Sequence, residues 1–377
     1  MRIVHVSDCY SPRSGGIEAQ VQGLARAQVR AGHSVTVLTA TKDLDRPPQN
    51  EGVAEPDVLR ITSPVVGNFP IHPRTRAHVE PVLSRIQPDV VHVHAGGLSP
   101  FAWGGVRAAL KCDVPTLITV HSVWGEIAKR SLPAAHRLVR WSQRGVRFSA
   151  VSRMAADIVA EALQLPTDVL LTPNGIDATP WTLVIPEPHT GIRVLAVQRL
   201  ASRKRTAALI SAFAEAREGL DAGSRHLELV VVGEGPQRKR LEGLIRERGL
   251  AESVTLAGRK SSSDIRTLMA GSDFFVQPSV HESFGIAALE ARTAGLPVIV
   301  REGTGTAEFI RSGIEGVQVR NDDCLVRAIH TLASDQDLRK MIANHNRSTP
   351  CGFDWPNVVA HVDEVYSTVL SGRSVEP

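Results

Sequence analysis

The sequence predicts an α/β protein of two parallel-sheet domains, and three observations carry that expectation. Short β-branched runs alternate with amphipathic stretches, the pattern of parallel strands covered by helices on both faces. The alternation halts at the proline-containing stretch TLVIPEPHTG (182–191) and then restarts. The length, 377 residues, exceeds what one typical core accommodates, so two domains are the default. The expected divisions are 1–180, 181–352 and a closing segment, 353–377.

RIVHVSD reads as the first strand and stops at the loop SPRSGG. A helix follows, with Ile17, Val21, Leu24 and Ala25 on one face and Gly32 as its stop. SVTVLTA, DVVHVHA and PTLITVHS are the next strands. Asp8, His94 and His121 stand at or just after strand ends, where open parallel sheets collect ligands. In the second half IRVLAVQRL is a strand, TAALISAFAEA a helix, and LELVVVGEGP a strand ending in a Gly-rich turn. QRKRLEGLIRERG is a charged helix and SVTLAG a strand, and DFFVQPS, HESFGIAALE and LPVIVRE complete the alternation. FDWPNVVAHVDEVYSTVL closes the chain as an amphipathic helix with Val358, Val362, Val365 and Tyr366 roughly in line.

Apolar residues make up 42% and charged residues 22%, ordinary for a soluble globular protein. The net charge of +4 implies only a weak attraction to phosphates, anionic lipid or acidic substrates. The four cysteines, Cys9, Cys112, Cys324 and Cys351, form no CxxC pair. That argues against a disulfide framework or a zinc site and fits a reducing cytosol. No apolar run approaches the roughly 18–20 residues of a membrane span, and the N-terminus lacks a signal-peptide core. The expected location is cytoplasmic, with a peripheral membrane contact left open. Nucleic-acid binding is poorly supported, because aromatic residues are 4% and no recognised motif appears.

The stretch HESFGIAALE carries Glu282 and Glu290 around a Phe284-Gly285 step. A helix starting near Phe284 leaves the N–H groups of Gly285, Ile286 and Ala287 without intrahelical partners, an anion site that glycine keeps open. Glu290, one turn in, can accept bonds from vicinal hydroxyls as an ionised carboxylate. Read alone, the pair is equally well a surface glutamate and a helix glutamate favoured by the dipole. Arg199 at the end of VLAVQR and Lys204 in the basic loop SRKR tip the balance towards a diphosphate pocket in the same half. The glycine turns SGG (14–16) and GEGP (233–236) are weak signals, although both follow apolar strands. His92 and His94 alternate on one face of a strand, but no third metal ligand is apparent, and no metal site is expected. Arg137, Arg140, Arg144 and Arg147 recur at helical spacing around Trp141, a basic face for anionic lipid, a phosphorylated acceptor, or only solvent; IHPRTRAH adds two arginines.

Nearly end to end, the chain resembles a family-4 retaining glycosyltransferase of the GT-B class (glycosyl transferases group 1). The resemblance rests on PRSGG, DVVHVHAGGLSPFA, TVHS, AVS, PNGID, QRLASRK, VVVGEGP and QPSVHESFGIAALEARTAGLPVIV, the last holding the family's Glu-x7-Glu signature. It implies two Rossmann-like domains facing a cleft, an acceptor-side domain first and a nucleotide-sugar-binding domain second, with the last helix crossing back to the first. It further implies that Arg199 and Lys204 bind the donor diphosphate and Glu290 the ribose hydroxyls. Glu282 and the N–H groups from Phe284 through Gly285, Ile286 and Ala287 would hold the donor sugar. Gly16 and Gly233 would approach the donor, Gly15 and Asn174 would lie on the acceptor side, and His121 would be the active-site histidine. The sequence departs from the commoner family pattern at Gln198 and Arg205, where glycine is frequent, and at Ser122, where Asp or His is frequent.

The expected activity is transfer of a hexose-type sugar from a UDP- or GDP-sugar to a hydroxyl acceptor, lipid-linked sugar, glycan or small molecule, with no cofactor and no metal. Arg199, Lys204, Glu282 and His121 would carry it, the cations by stabilising the leaving group. An alternative is a GT-B protein of other activity, epimerase-like or an inactive binding module. A phosphorylase would want a lysine-bound pyridoxal phosphate, which nothing marks. A glycosidase would need no Arg199/Lys204 cradle.

Overall fold

The structure, a computed structural model, describes residues 1–13, 15–43, 55–63, 72–96, 99–122, 141–165, 168–220 and 226–372. It divides into two units: Met1–Ile176 with Phe353–Pro377, and Asp177–Gly352. The division thus falls just before the expected 180/181 boundary, and the closing segment belongs to the first unit.

The first unit runs β1 (Arg2–Ser7), α1 (Gly16–Arg30), β2 (Ser34–Thr39), β3 (Asp57–Arg60), α2 (Thr75–Ile86), β4 (Val90–Ala95), α3 (Pro100–Lys111), β5 (Thr116–Val120), β6 (Val146–Ala150), α4 (Arg153–Leu163) and β7 (Leu170–Leu171). Its strands form one sheet in the order β3-β2-β1-β4-β5-β6-β7, every pair parallel. The second unit runs α5 (Thr179–Thr182), β8 (Ile192–Val197), α6 (Thr206–Glu218), β9 (Leu227–Val232), α7 (Arg238–Glu247), β10 (Val254–Gly258), α8 (Ser262–Ala270), β11 (Phe274–Gln277), α9 (Ile286–Thr293), β12 (Val298–Arg301), β13 (Gly316–Val319), α10 (Asp322–Ser334) and α11 (Gln336–Ser348). Its sheet is also parallel, in the order β10-β9-β8-β11-β12-β13. Each sheet reverses strand order once, between β1 and β4 and between β8 and β11, and a reversal leaves a crevice at the carboxyl ends of the strands.

Side-chain alternation sorts the first sheet into two faces. Val4, Val6, Val91, Val93, Ile118 and Val120 pack into one buried cluster that includes Phe101 and Val106 of α3. The opposite face carries Ile3 and Leu117 into a second cluster with Val21 and Leu24 of α1. That second cluster is closed by the last helix, α12 (Trp355–Ser371), whose Val358, Val362, Val365 and Tyr366 are buried as the sequence pattern predicts. Two glycines explain how α12 starts so close to its unit: a Cβ on Gly23 or Gly175 would lie 2.1 or 2.5 Å from the Trp355 ring. Backbone bonds from Ile176 N to Phe353 O (2.9 Å) and from Trp355 N to Ile176 O (3.2 Å) stitch the returning chain in place.

All four cysteines are free. Among the described residues no helix is long and apolar enough to cross a membrane.

Candidate functional site

In the second unit the reversal point is furnished by two loops. The chain leaves β8 at Val197, passes Gln198 and exposed Arg199, and makes a short 3-10 turn, Ser202–Lys204, before α6. Arg199 therefore lies past the strand rather than ending it. The other loop leaves β11 at Gln277 and carries Glu282 to the start of α9. Glu282 is 9% exposed, and its Oε2 accepts from Lys204 Nζ and, at 2.7 Å, from Gln277 Nε2. Its carbonyl accepts from Gly305 N at 2.9 Å. A cation, a carboxylate and an amide are thus gathered at one strand mouth, each half-buried or buried, where the low dielectric strengthens their attraction.

The helix begins at Ile286, slightly later than the expected start near Phe284, because Gly285 is its cap. Gly285 has φ +89°, a left-handed conformation that costs a residue with a Cβ. A Cβ there would stand 2.3 Å from Thr306 Oγ1 and 2.8 Å from Gln277 Oε1. Both oxygens are buried without a hydrogen-bond partner. The helix-opening bonds to Gly285 O come from Ala288 and Leu289, so the N–H groups of Ile286 and Ala287 open the first turn, where intrahelical partners are lacking. Phe284 is buried and its ring packs 5.4 Å from that of Phe309.

Glu290 follows one turn in, on α9. Burial pushes its carboxyl up to about 8, with Arg266 pulling the other way. The expected ionised carboxylate is shifted here towards its protonated form, which offers hydroxyls a donor as well as an acceptor, because desolvation disfavours the charge.

The family glycines that this chain lacks are explained by its neighbours. Arg205 has φ +56°, the conformation glycine takes most readily, and its guanidinium bonds Asp322 at 2.6 and 2.9 Å. Asp322 also holds Arg301. Gln198 Nε2 donates to Thr206 Oγ1 at 2.9 Å, while Gln198 Oε1 is buried and unpaired. Gly233, φ +136°, lets the β9 turn pass under this loop, since a Cβ would lie 2.0 Å from Gln198 O. Sequence reasoning missed Gln277 and Thr306; the signal for Gln277 was a polar residue closing an otherwise apolar strand.

In the first unit, Gly15 caps α1 with an extended backbone, and a Cβ on it would meet Glu18 at 2.2 Å. Around Gly16 there is open space. His121 follows β5, its N bonded to Ala95 O at 2.9 Å, and Asn174 hydrogen-bonds its side chain. Burial holds the His121 ring down at about 4, so it is neutral at physiological pH, the Asn174 bond opposing that shift. Asp8 is no free ligand: its carboxylate caps α3, accepting from Phe101 N and Ala102 N at 3.0 and 3.2 Å.

The third histidine absent from the sequence argument is His5. The register sets His5 beside His92 and Ser7 beside His94, so the imidazoles of His5, His92 and His94 cluster on one buried face with ring nitrogens within 4.8 Å of one another. The cluster does not fit a metal. His5 Nδ1 and His94 Nε2 bond each other at 2.8 Å, His5 Nε2 bonds Gln28, His94 Nδ1 bonds His121, and both nitrogens of His92 are taken by Tyr366 and Thr119. A metal would have to break these bonds in a buried place, and tetrahedral ligands at about 2.0–2.1 Å stand farther apart than 2.8 Å.

The basic helix expected around Trp141 is corrected in part. Arg137 and Arg140 lie outside the described residues. Arg144 ends a 3-10 turn at left-handed Gly145, and Arg147 sits in β6, so the helical spacing does not continue through them.

Known proteins resemble this chain along nearly its whole length. The profile of Glycosyl transferases group 1 matches residues 182–349, and that of Glycosyltransferase Family 4 matches residues 14–179. An uncharacterized glycosyltransferase of Methanocaldococcus jannaschii is 28% identical, over 98% of this chain and 99% of its own. A phosphatidylinositol N-acetylglucosaminyltransferase subunit of Arabidopsis thaliana is 25% identical, over 100% and 84%. Among solved structures, Anabaena HepE in complex with UDP-glucose superposes with TM-score 0.75 at 21% identity, over 98% of this chain and 100% of HepE. Two parallel sheets, each reversing once, together with profile matches that account for both units, lead to one assignment: the chain belongs to the group 1, family 4 glycosyltransferases of the GT-B fold.

Proposed function

We propose that this glycosyltransferase is a retaining, metal-independent hexosyltransferase, taking its sugar from a UDP- or GDP-linked donor and passing it to a hydroxyl of a lipid-linked or glycan acceptor. The observation that carries this reading is the Lys204–Glu282–Gln277 cluster beside the Gly285-opened start of α9. Lys204 and exposed Arg199 supply the positive charge a diphosphate needs, and the first-turn amides of Ile286 and Ala287 add oriented donors. Glu282, held by two donors, presents its remaining acceptor capacity to sugar hydroxyls. Glu290 serves the ribose.

In the transfer, the acceptor oxygen bonds the anomeric carbon on the face from which the leaving group departs. The bond from that carbon to the phosphate oxygen breaks with its electron pair going to the diphosphate, which takes up the acceptor's proton. Arg199, Lys204 and the start of α9 stabilise the charge that grows on the diphosphate. Neutral His121, bonded to Asn174, orients the reacting sugar. The Arabidopsis relative, named for transfer to phosphatidylinositol, and the net charge of +4 support an acceptor presented at a cytoplasmic, anionic membrane surface.

Turnover of a panel of UDP- and GDP-hexoses with a phosphatidylinositol acceptor tests this, with a chelator in half the reactions and product configuration read by NMR. One donor should be consumed with its anomeric configuration kept and no chelator effect. An inverted product or chelator-sensitive turnover contradicts the corresponding part, and no consumption of any donor sinks the whole.

A further inference from the structure

Four histidines of the first unit, His121, His94, His5 and His92, belong to one continuous hydrogen-bonded chain that passes through the last helix. From His121 the links are His121 Nε2 to His94 Nδ1 (2.9 Å), His94 Nε2 to His5 Nδ1 (2.8 Å), His5 Nε2 to Gln28 Oε1 (2.6 Å), Gln28 Nε2 to Tyr366 Oη (3.1 Å) and Tyr366 Oη to His92 Nδ1 (2.8 Å). His92 Nε2 then meets Thr119 Oγ1 at 2.6 Å. His5, Gln28 and Tyr366 have no solvent exposure, and His92 and His94 next to none.

Such a chain admits two proton arrangements, and the geometry chooses between them. A neutral imidazole donates from one nitrogen and accepts at the other, so fixing one link fixes all the rest. Desolvation keeps every ring in the chain neutral at physiological pH: His5 and His121 are lowered to about 4, His92 and His94 well below their ordinary value. The deciding link is Gln28. A contact of 2.6 Å with His5 is short for nitrogen against nitrogen and suits an amide oxygen accepting N–H, while 3.1 Å suits the amide nitrogen donating to Tyr366. The Tyr366 hydroxyl, accepting from Gln28, is left to donate its one proton to His92. Asn174 does not compete for direction, since an amide can serve either state of the ring it touches.

We propose that Tyr366 and Gln28, acting through His5 and His94, are positioning residues that set the tautomer of His121: the proton sits on Nε2, and Nδ1 presents its lone pair. The last helix thereby fixes the polarity of a ring at the end of a strand in the middle of the sheet. A partly open pocket of about 20 Å³, lined among others by His92, His94, His121, Thr119 and Asn174, adjoins the chain and has room for about one water. For turnover, the proposal rests on His121 serving the reacting sugar; for the tautomer itself, it does not.

Long-range ¹H–¹⁵N correlation spectra of the ¹⁵N-histidine-labelled full chain at neutral pH test it. In the wild type, His5, His94 and His121 should each carry the proton on Nε2. Tyr366→Phe, which releases the Gln28 amide to turn, should give a mixture of His121 tautomers and lower kcat roughly 10-fold at unchanged donor KM. A wild-type His121 protonated on Nδ1 overturns the proposal, and that spectrum needs no variant to fold. A Tyr366→Phe protein with the wild-type tautomer, the wild-type kcat, or a change in donor KM alone also overturns it. A wild type that transfers no sugar yet shows the expected spectrum would remove the transferase reading and leave the tautomer assignment standing.

Discussion

The two units share a parallel sheet that reverses once, yet they furnish the reversal with opposite chemistry. The second unit gathers charge: Lys204 on Glu282, Arg205 and Arg301 on Asp322, and Arg199 exposed beside them. The first gathers uncharged polar groups, four histidines joined with Gln28 and Tyr366 under two helices. The same topology thus yields a charged cradle in one case and an uncharged, directional hydrogen-bond chain in the other. Fold positions a site; the residues at the strand mouths decide what it does.

If that contrast is right, charge removal in the second unit is the most damaging change. Lys204→Met leaves Glu282 nine-tenths buried without its cation, and kcat/KM should fall on the order of 10²–10³-fold. Steady-state kinetics on the preferred donor checks this; a loss under tenfold would mean the ion pair only holds the loop. His121→Ala should lower kcat about 10²-fold while donor affinity, read by calorimetry, stays put. An equal loss of donor affinity would make His121 a donor-binding residue instead of one that orients the reacting sugar.

Backbone strain gives a smaller effect. Gly285→Ala forces a left-handed alanine against Thr306 and Gln277, and denaturant unfolding should show a loss of about 1–3 kcal/mol. Wild-type stability would mean the α9 entry is looser than its geometry.

A further contrast separates the units by pH. His5, His92, His94 and His121 are depressed below the unfolded value of 6.5, so the unfolded chain binds protons that the folded one refuses, and stability should fall as pH drops from 6.5 towards 4. Glu290 acts in the opposite sense. Raised from 4.5 to about 8, it keeps a proton the unfolded chain has released, so its contribution is lost as pH rises through that window. The gap in melting temperature between the wild type and Glu290→Gln should change between pH 4.5 and 8 and hold constant outside that window, with the acid decline common to both.

Legibility followed locality. Glu282, Gly285 and Glu290 stand in one short stretch, and the helix start that relates them is a local property, so their grouping was readable. Lys204 was readable as a cation after a strand, although its partner, Glu282, lies 78 residues away. The histidine chain was not readable as a chain. His5 meets His94 across 89 residues, and Gln28 meets Tyr366 across 338, so only sheet order and the return of the last helix bring them together. The one signal was a single histidine in RIVHVSD and two on alternate positions in DVVHVHA, which pairing in register turns into a cluster. The upward shift of the Glu290 carboxyl was not readable for a related reason, because desolvation is a tertiary property.

The central claim is that the second unit grips a nucleotide-diphosphate sugar through Lys204 and Arg199. Calorimetric titration of UDP- and GDP-sugars into the wild type and into an Arg199→Ala, Lys204→Ala double variant tests it most directly. One donor should bind the wild type and lose at least about 100-fold in affinity in the variant, two charge-assisted contacts being removed. Equal affinity for both proteins, or no binding of any nucleotide sugar to a folded wild type, would contradict it.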